Sequence, residues 1–208
     1  MVVEAMPRLY VYIVRHDIGF APNPFYGFCT LATCKSGIRG HASVGDWIAG
    51  IGSKMKGQQG KLVFAMRVEE TLCYEQYWCD SRFQQKKPNR VGSLKQRYGD
   101  NIYHRCLDGK SWIQEDSRHS LEDGSPNMAH VKRDTAASRV LLSETFVYYG
   151  CRAVEIPDEF RDWDGQDICE CGRNYRYNFP EDLRKAFTTW LRGQAHLGIA
   201  GEPLDWSL

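Results

Sequence analysis

KLVFAMRVEE, residues 61–70, is the clearest strand pattern in the chain, because its apolar side chains alternate between two faces. One face carries Leu62, Phe64, Met66 and Val68. The preceding run VGDWIAGI, residues 44–51, has the pattern of a second strand. The link between them, residues 53–60, is polar and contains glycine, so the two runs predict an antiparallel hairpin.

Outward from this hairpin, RLYVYIVR at 8–15 is apolar or aromatic on both faces, which predicts a central strand covered on both sides. Residues 139–149 predict one bent strand or two short ones, and residues 111–114 a short strand. A short helix is expected within 72–84. A C-terminal helix is expected over 179–193, packed on the sheet through Leu183, Phe187, Trp190 and Leu191.

Several short strands, few helices and long polar connections predict an α+β fold. We expect one domain over residues 1–208, built on a small antiparallel sheet or a small β-barrel with flanking helices. The polar stretch 85–135 is expected to be a long insert or a lid.

Composition narrows the classes of function. The net charge of +1 argues against a protein that coats DNA nonspecifically, although basic residues dominate 82–105 and acidic residues dominate 155–170. No apolar run approaches the roughly 20 residues that span a membrane, and residues 1–8 do not resemble a signal peptide. We therefore expect a cytoplasmic protein without a membrane partner.

The 8 cysteines are expected to be mostly reduced thiols. Their closest spacings, Cys29 to Cys34 and Cys169 to Cys171, differ from the two-residue spacing typical of structural zinc sites. The sequence therefore predicts neither a metal site nor a cofactor.

The first candidate site residues lie where the strand at 8–15 enters a loop, a common position for functional groups. Arg15 is suited to clamp a phosphate or to pair with Asp17, and His16 to contact a base or transfer a proton. The next loop combines rings, hydroxyls and a lysine, which suits base stacking as well as a local core; its candidates are Asn23, Phe25, Thr30, Thr33 and Lys35. Cys34 is a candidate activated thiol, but no sequence feature fixes its partner.

Residues 50–54, GIGSK, end a predicted strand and offer an anion nest with Ser53 and Lys54, although ordinary turn chemistry explains them equally well. The segments 92–104 and 112–120 hold the densest set of amides, carboxylates, imidazoles and rings, as base-edge and sugar recognition requires. Their candidates are Gln96, Tyr98, Asp100, Asn101, His104, Asp116 and His119. Asp100 with His104, and Asp116 with His119, could also ligate a metal or form acid–base pairs, although neither spacing is a recognised metal signature.

Several of these stretches together resemble the bacterial and phage family called nucleotide modification associated domain 2. The resemblance rests on RLYVYIVRHDIGFAPNPFYGFCTLATCK, VGDWIAGIGSK, LVFAMRVEETLCYEQYWCDSRF, GSLKQRYGDNIYH, WIQEDSRHSLEDGSPN, RVLLSETFVYYG and NYRYNFPEDLRKAFTTWL. It implies work with systems that modify or sense nucleotides or nucleic-acid bases, phage defence included, without a defined reaction.

A more distant similarity, in the order of strands, is to PUA-like domains of the EVE and ASCH type. There a small barrel holds a modified base in a cleft walled by aromatic residues. The similarity implies a cleft lined by 15–17, 23–35 and 52–54. The stretch 85–135 departs from a minimal domain of that kind.

Three hypotheses about function follow. We favour a recognition domain for a nucleotide or modified base, either free or within DNA or RNA. The alternative is an enzyme (a hydrolase, lyase or transferase) acting on a nucleotide or base, with catalytic candidates His16, Asp17, Asp100, His104, Asp116 and His119. The third is a scaffold of a modification complex. The sequence leaves a homodimer open.

Overall fold

The computed structural model describes residues 6–106, 109–172, 174–196 and 198–206. These residues form two compact units, each assembled from three segments that are distant along the chain. Unit 1 contains the segment that ends at His16, together with Ala42–Glu69 and Thr145–Glu202. Unit 2 contains Asp17–His41, Glu70–Glu144 and the segment that begins at Pro203.

The described residues contain several short strands and few helices. The strands are β1 Leu9–Val14, β2 Cys29–Leu31, β3 Trp47–Gly52, β4 Lys61–Arg67, β5 Glu70–Cys73, β6 Tyr103–Arg105, β7 Trp112–Gln114, β8 Arg139–Ser143, β9 Phe146–Tyr148, β10 Val154–Glu155 and β11 Gly198–Ile199. The α-helices are α1 Ser36–His41, α2 Tyr74–Cys79, α3 Leu94–Arg97, α4 Met128–Asp134 and α5 Glu181–Gln194. The predicted α+β class is confirmed.

Unit 1 is built on one mixed sheet with the strand order β1-β3-β4-β9-β11, and β10 pairs with β4 beside this path. The predicted hairpin is confirmed, since β3 and β4 pair antiparallel with Ala49 opposite Ala65. β1 is buried on both faces as predicted, but it lies at the end of this strand order and runs parallel to β3. No sheet in the described part of the chain closes into a barrel. Of the two expected arrangements, an open sheet or a small β-barrel, the structure therefore contains the open sheet.

The core of unit 1 joins the sheet to α5. Leu183, Phe187 and Leu191 of that helix are buried in one cluster with sheet residues such as Leu9 and Trp47. Glycine at position 50 is required by close packing, because a Cβ there would lie 2.2 Å from the ring of Phe64.

Unit 2 contains the antiparallel sheet β2-β8-β5 and the separate hairpin β6–β7. The predicted strand region 139–149 consists of two strands, and they belong to different units: β8 lies in unit 2 and β9 in unit 1. The expected short helix at 72–84 is α2, and the expected strand at 111–114 is β7. The polar stretch 85–135 lies in unit 2, where it contributes α3, β6, β7 and α4.

None of the helices in the described part of the chain has the length and apolar character that a bilayer span requires.

Candidate functional site

Three loop and helix ends in unit 2 bring a cysteine, a histidine and an aspartate together. Cys34 follows β2, His119 lies in a tight turn after β7, and Asp134 is the last residue of α4. α4 begins where the side chain of Asn127 accepts hydrogen bonds from the backbone of Ala129 and His130. This cap fixes the start of the helix whose other end carries the carboxylate.

The three side chains form a continuous hydrogen-bonded row. The Sγ atom of Cys34 lies 3.6 Å from Nε2 of His119, and Nδ1 of the same ring lies 2.7 Å from Oδ2 of Asp134. Cys34 is partly exposed, whereas His119 is 7% exposed and Asp134 is fully buried. The thiol is therefore the end of the row that a ligand can reach.

The backbone at the thiol is strained. Cys34 and Lys35 both have positive φ angles, 55° and 36°, in a region that residues with a side chain rarely adopt. Such strain costs on the order of 1–3 kcal/mol for each residue and concentrates at functional sites. Two consecutive residues in this state hold the thiol at a sharp bend.

The carboxylate of Asp134 is fully occupied by donors from the protein. Oδ1 accepts the backbone N–H of Cys34 and the Nε–H of Arg133, each at 3.1 Å. Oδ2 accepts the hydroxyl of Tyr103 at 3.0 Å in addition to its bond with His119. These bonds fix the orientation of the carboxylate and tie its position to the backbone of the cysteine.

The pKa values of His119 and Asp134 are shifted in the directions that favour the charged form of each side chain. Burial opposes the charged form of His119, but its hydrogen bonds to Asp134 and Cys34 outweigh burial and raise its pKa. Burial likewise opposes ionisation of Asp134, but the bond to His119 and the charges of His119 and Arg133 prevail and lower its pKa. The hydrogen bond to Asp134 therefore stabilises the protonated form of His119 against the cost of its burial.

A buried guanidinium positions both ends of the row. Arg39 of α1 is fully buried and donates to the backbone carbonyls of Cys34 (2.9 Å) and Asp134. It also donates to the carbonyls of Ala137 and Arg139, at 3.0 and 2.8 Å. The hydroxyl of Tyr74 lies between the carbonyls of Ala32 and Asp134. These interior bonds link α1, β8 and the end of α4.

The surroundings of the imidazole are aromatic on two sides and cationic at the rim. The rings of Phe20 and His130 meet His119 edge-on, with centroids 4.7 and 4.2 Å away. Burial lowers the pKa of His130, and the positive charges of His119, Arg133 and Arg118 lower it further. Both arginines are exposed. An anionic ligand would be attracted to this rim.

Cys34, His119 and Asp134 are also residue types that bind metal ions in proteins. Their ligand atoms lie within 4.8 Å of one another. However, both carboxylate oxygens of Asp134 already accept hydrogen bonds. Oδ1 accepts from the cation Arg133, and Oδ2 accepts from the ring of His119. Only Sγ of Cys34 and Nε2 of His119 then face a common point, which is fewer than the three protein ligands of a catalytic zinc. The donor set does not fit a resident metal.

The row fits a nucleophile, a base and an orienting acid instead. Asp134 holds the proton on Nδ1 of His119, so that Nε2 faces the thiol as a proton acceptor. A thiol with an adjacent imidazole is the usual means of activating a cysteine nucleophile. Of the sequence-based candidates, His119 is part of this row, and Thr33 and Lys35 flank Cys34 in the chain; Thr33 is fully buried.

Four other candidates lie inside unit 2 in a separate polar network. Asp100 accepts hydrogen bonds from Thr30 (2.7 Å) and Tyr77 (2.8 Å), and all three are buried. Asn23 accepts a hydrogen bond from the buried ammonium of Lys86 at 2.6 Å. Asn101 donates to the carbonyls of Tyr77 and Phe83. The network accounts for these polar side chains as internal supports, and their role as ligand contacts stays a prediction.

Three further candidates of unit 2, Phe25, Tyr98 and Gln96, have local partners. The ring of Phe25 stacks on Trp206 with centroids 5.3 Å apart, and Tyr98 lies 6.4 Å from the same indole. Gln96 caps the first turn of α3 through Ser93.

The two expected acid–base pairs are not the pairs that the structure contains. His104 is bonded to Glu115 at 2.9 Å and stacks on Trp78. Asp116 lies 3.5 Å from Arg90, and the carboxylate partner of His119 is Asp134 rather than Asp116. Asp17 accepts the backbone N–H of Leu204.

In unit 1 the structure brings three of the candidates together. Arg15, Ser53 and Lys54 line one cavity of about 430 Å³. His16, next to Arg15 in the chain, is exposed.

Sequence reasoning missed Asp134, whereas Tyr103 lies in the segment 92–104 that the sequence singled out. Asp134 stands at the end of MAHVKRD, a polar stretch in which no spacing connects it to Cys34 or His119. The start of helix α4, which ends at Asp134, does have a sequence signal, because Asn127 after Pro126 predicts a helix N-terminus. The other end of that helix is where the carboxylate lies.

Comparison with known proteins gives a family but no characterised relative. No curated protein and no solved structure shows significant similarity to the chain. The family profile for nucleotide modification associated domain 2 matches residues 6–208, which is nearly the entire sequence. The chain therefore belongs to the nucleotide modification associated domain 2 family.

Proposed function

We propose that the protein is a cysteine-dependent enzyme that transfers or hydrolyses an acyl or amide group on a nucleotide or modified base. The observation that carries this proposal is the row of Cys34, His119 and Asp134, with the thiol 3.6 Å from Nε2. Nucleotide recognition, the role favoured by the sequence, becomes the binding step of this reaction.

The substrate class rests on two supports. The family is associated with nucleotide modification. The rim of the site carries the exposed cations Arg118 and Arg133, whose charges both act on His130 beside His119. A phosphate-bearing substrate is attracted by this charge, and arginine is the side chain best suited to bind phosphate through two hydrogen bonds.

The chemistry is a two-step displacement. His119 takes the thiol proton of Cys34 as sulfur attacks the carbonyl carbon, and the π electrons move onto the carbonyl oxygen. When the carbonyl reforms, the bond to the leaving amine or alcohol breaks and His119 returns the proton to that group. Water or an acceptor amine then attacks the thioester, with His119 acting as base again, and the thiol is regenerated.

The test is turnover on a panel of nucleotides and modified nucleosides that carry acyl or amide groups, followed by mass spectrometry of the products. Trapping by acid quench should reveal an acyl adduct on the peptide that contains Cys34. Cys34→Ser should abolish both the adduct and turnover, while the matched control Cys79→Ser, at an exposed cysteine, should change neither.

Turnover that survives in Cys34→Ala would rule out covalent catalysis by this thiol. Ligand binding with unchanged affinity in Cys34→Ala, and no turnover by the wild-type protein across the panel, would return the protein to the class of recognition domains.

A further inference from the structure

The cavity of unit 1 is a second site, separate from the thiol in its residues and its chemistry. It measures about 430 Å³, within the range of small-molecule pockets. Its wall combines apolar residues, namely Ile13, Ile51 and Met55, with charged and polar ones. Met55 is 91% exposed, so an adaptable apolar side chain stands open at the cavity without a packing role.

Two cations line this cavity without a partner. Arg15, directly beyond β1, and Lys54, two residues beyond β3, are both exposed, and neither side chain forms an ion pair or hydrogen bond with any described residue. They extend from the ends of adjacent parallel strands, since Val14 lies opposite Gly52 in the register. Adjacent strand ends therefore carry two unneutralised positive charges on one cavity.

Ser53 supplies a hydroxyl between them. The residue is buried, and its Oγ accepts the backbone N–H of Met55 at 3.3 Å. Because the oxygen acts as acceptor in that bond, its own proton is free to be donated to a ligand.

A third cation lines the same cavity but is already neutralised. Nε and Nη2 of Arg161 bind the carboxylate of Asp167 at 2.8 and 3.0 Å. A Cβ on Gly60 would lie 2.3 Å from Nη1 of Arg161, so glycine at this position gives the guanidinium its space. The exposed carboxylate of Glu170 completes the polar wall and offers an acceptor for sugar hydroxyls.

We propose that this cavity binds a nucleoside monophosphate, with the phosphate between Arg15 and Lys54 and the nucleoside against Met55. Paired cations with a hydroxyl donor suit a phosphate, and the apolar side chains suit a base. The site does not depend on the proposed chemistry at Cys34.

The experiment is isothermal titration of the full chain with nucleoside monophosphates, the matching nucleosides, inorganic phosphate and a short single-stranded oligonucleotide. We expect a monophosphate to bind, and its nucleoside to bind at least 10-fold more weakly. Arg15→Gln and Lys54→Gln should each raise Kd by about 10-fold or more, which is the effect of losing a hydrogen bond to a charged group. Thermal melts of each variant verify folding.

Lys56→Gln is the matched control, because it removes the same charge from the same turn without lining the cavity. An equal loss of affinity in this variant would assign binding to bulk charge and overturn the proposal. Absence of binding by every monophosphate, or binding of the oligonucleotide alone, would also overturn it. Cys34→Ala should leave the affinity unchanged, which separates this result from the fate of the proposed enzyme.

Discussion

Replacing Asp134 by asparagine should invert the tautomer of His119 without unfolding the protein. The side chain of Asp134 faces donors on both oxygens. At the Oδ1 position the donors are the backbone N–H of Cys34 and the guanidinium of Arg133, neither of which can accept a hydrogen bond. The amide oxygen of asparagine must therefore occupy this position.

The amide nitrogen then takes the Oδ2 position, beside His119 and Tyr103. Both neighbours can adapt, since a tyrosine hydroxyl accepts and a neutral imidazole can leave Nδ1 unprotonated. His119 would carry its proton on Nε2, where it would donate to the thiol of Cys34 and could no longer accept its proton. Loss of the correct tautomer in a comparable triad lowers kcat by roughly 10⁴-fold, and we expect 10³- to 10⁴-fold here.

The cost in stability should be small by comparison. The two donors at the Oδ1 position keep an uncharged acceptor, His119 adapts by its change of tautomer, and the hydroxyl proton of Tyr103 loses its acceptor. Charge-assisted hydrogen bonds are about twice as strong as neutral ones, so we expect a loss of about 2 kcal/mol. Asp134→Ala is the contrasting variant, because it leaves buried donors without acceptors at about 1–3 kcal/mol each.

The assay combines ¹⁵N NMR of the imidazole with the rate at which iodoacetamide alkylates Cys34. The expected result is protonation of Nδ1 in the wild-type protein, protonation of Nε2 in Asp134→Asn, and slower alkylation in the variant. A folded Asp134→Asn variant that keeps Nδ1 protonated and Cys34 equally reactive would refute the reasoning.

Three further predictions concern stability. The raised pKa of His119 contributes stability that is complete below about pH 6.5 and is lost as the pH rises through the pKa of the folded state. In urea unfolding, the difference in free energy of unfolding between wild type and His119→Gln should therefore narrow from about pH 5.5 to 8.5. Arg39→Met removes the donor to carbonyls at both ends of the row, and we expect a loss of about 3–5 kcal/mol in urea unfolding together with slower alkylation of Cys34. Burial lowers the pKa of Lys86 to about 8, so between about pH 8 and 10 the unfolded chain binds more protons at this residue than the folded chain does. The free energy of unfolding of the wild-type protein should therefore rise over that range relative to Lys86→Met. A stability difference between the two proteins that does not change with pH would contradict the burial of this charge.

Much of the fold could be predicted because it rests on local patterns. The alternation at 61–70 and the helical spacing of Leu183, Phe187 and Leu191 act over short distances, and both elements are present. The parallel pairing of β1 with β3 joins residues about 38 positions apart and has no local signal. The division of 139–149 between two units is equally a property of tertiary packing.

The candidate site shows the same limit. Cys34 and His119 were both recognised as chemically suitable residues, but their partnership spans 85 positions and that of Cys34 with Asp134 spans 100. No spacing rule connects residues in three separate loops and helix ends. The polar residues Asn23, Thr30 and Asp100 carry the same sequence signal as ligand contacts, although their hydrogen bonds lie inside unit 2.

The most direct measurement compares the cysteines within one molecule. At pH 6 an ordinary thiol, with a pKa near 8.5, is only about 0.3% thiolate, so exposed Cys79 and Cys151 provide internal references for alkylation by iodoacetamide. Peptide mass spectrometry should find Cys34 alkylated at least about 10-fold faster than either reference, and His119→Gln should abolish this advantage. If Cys34 reacts no faster than the references, or if its rate is the same in His119→Gln, the thiol is not activated and the account of this site is wrong.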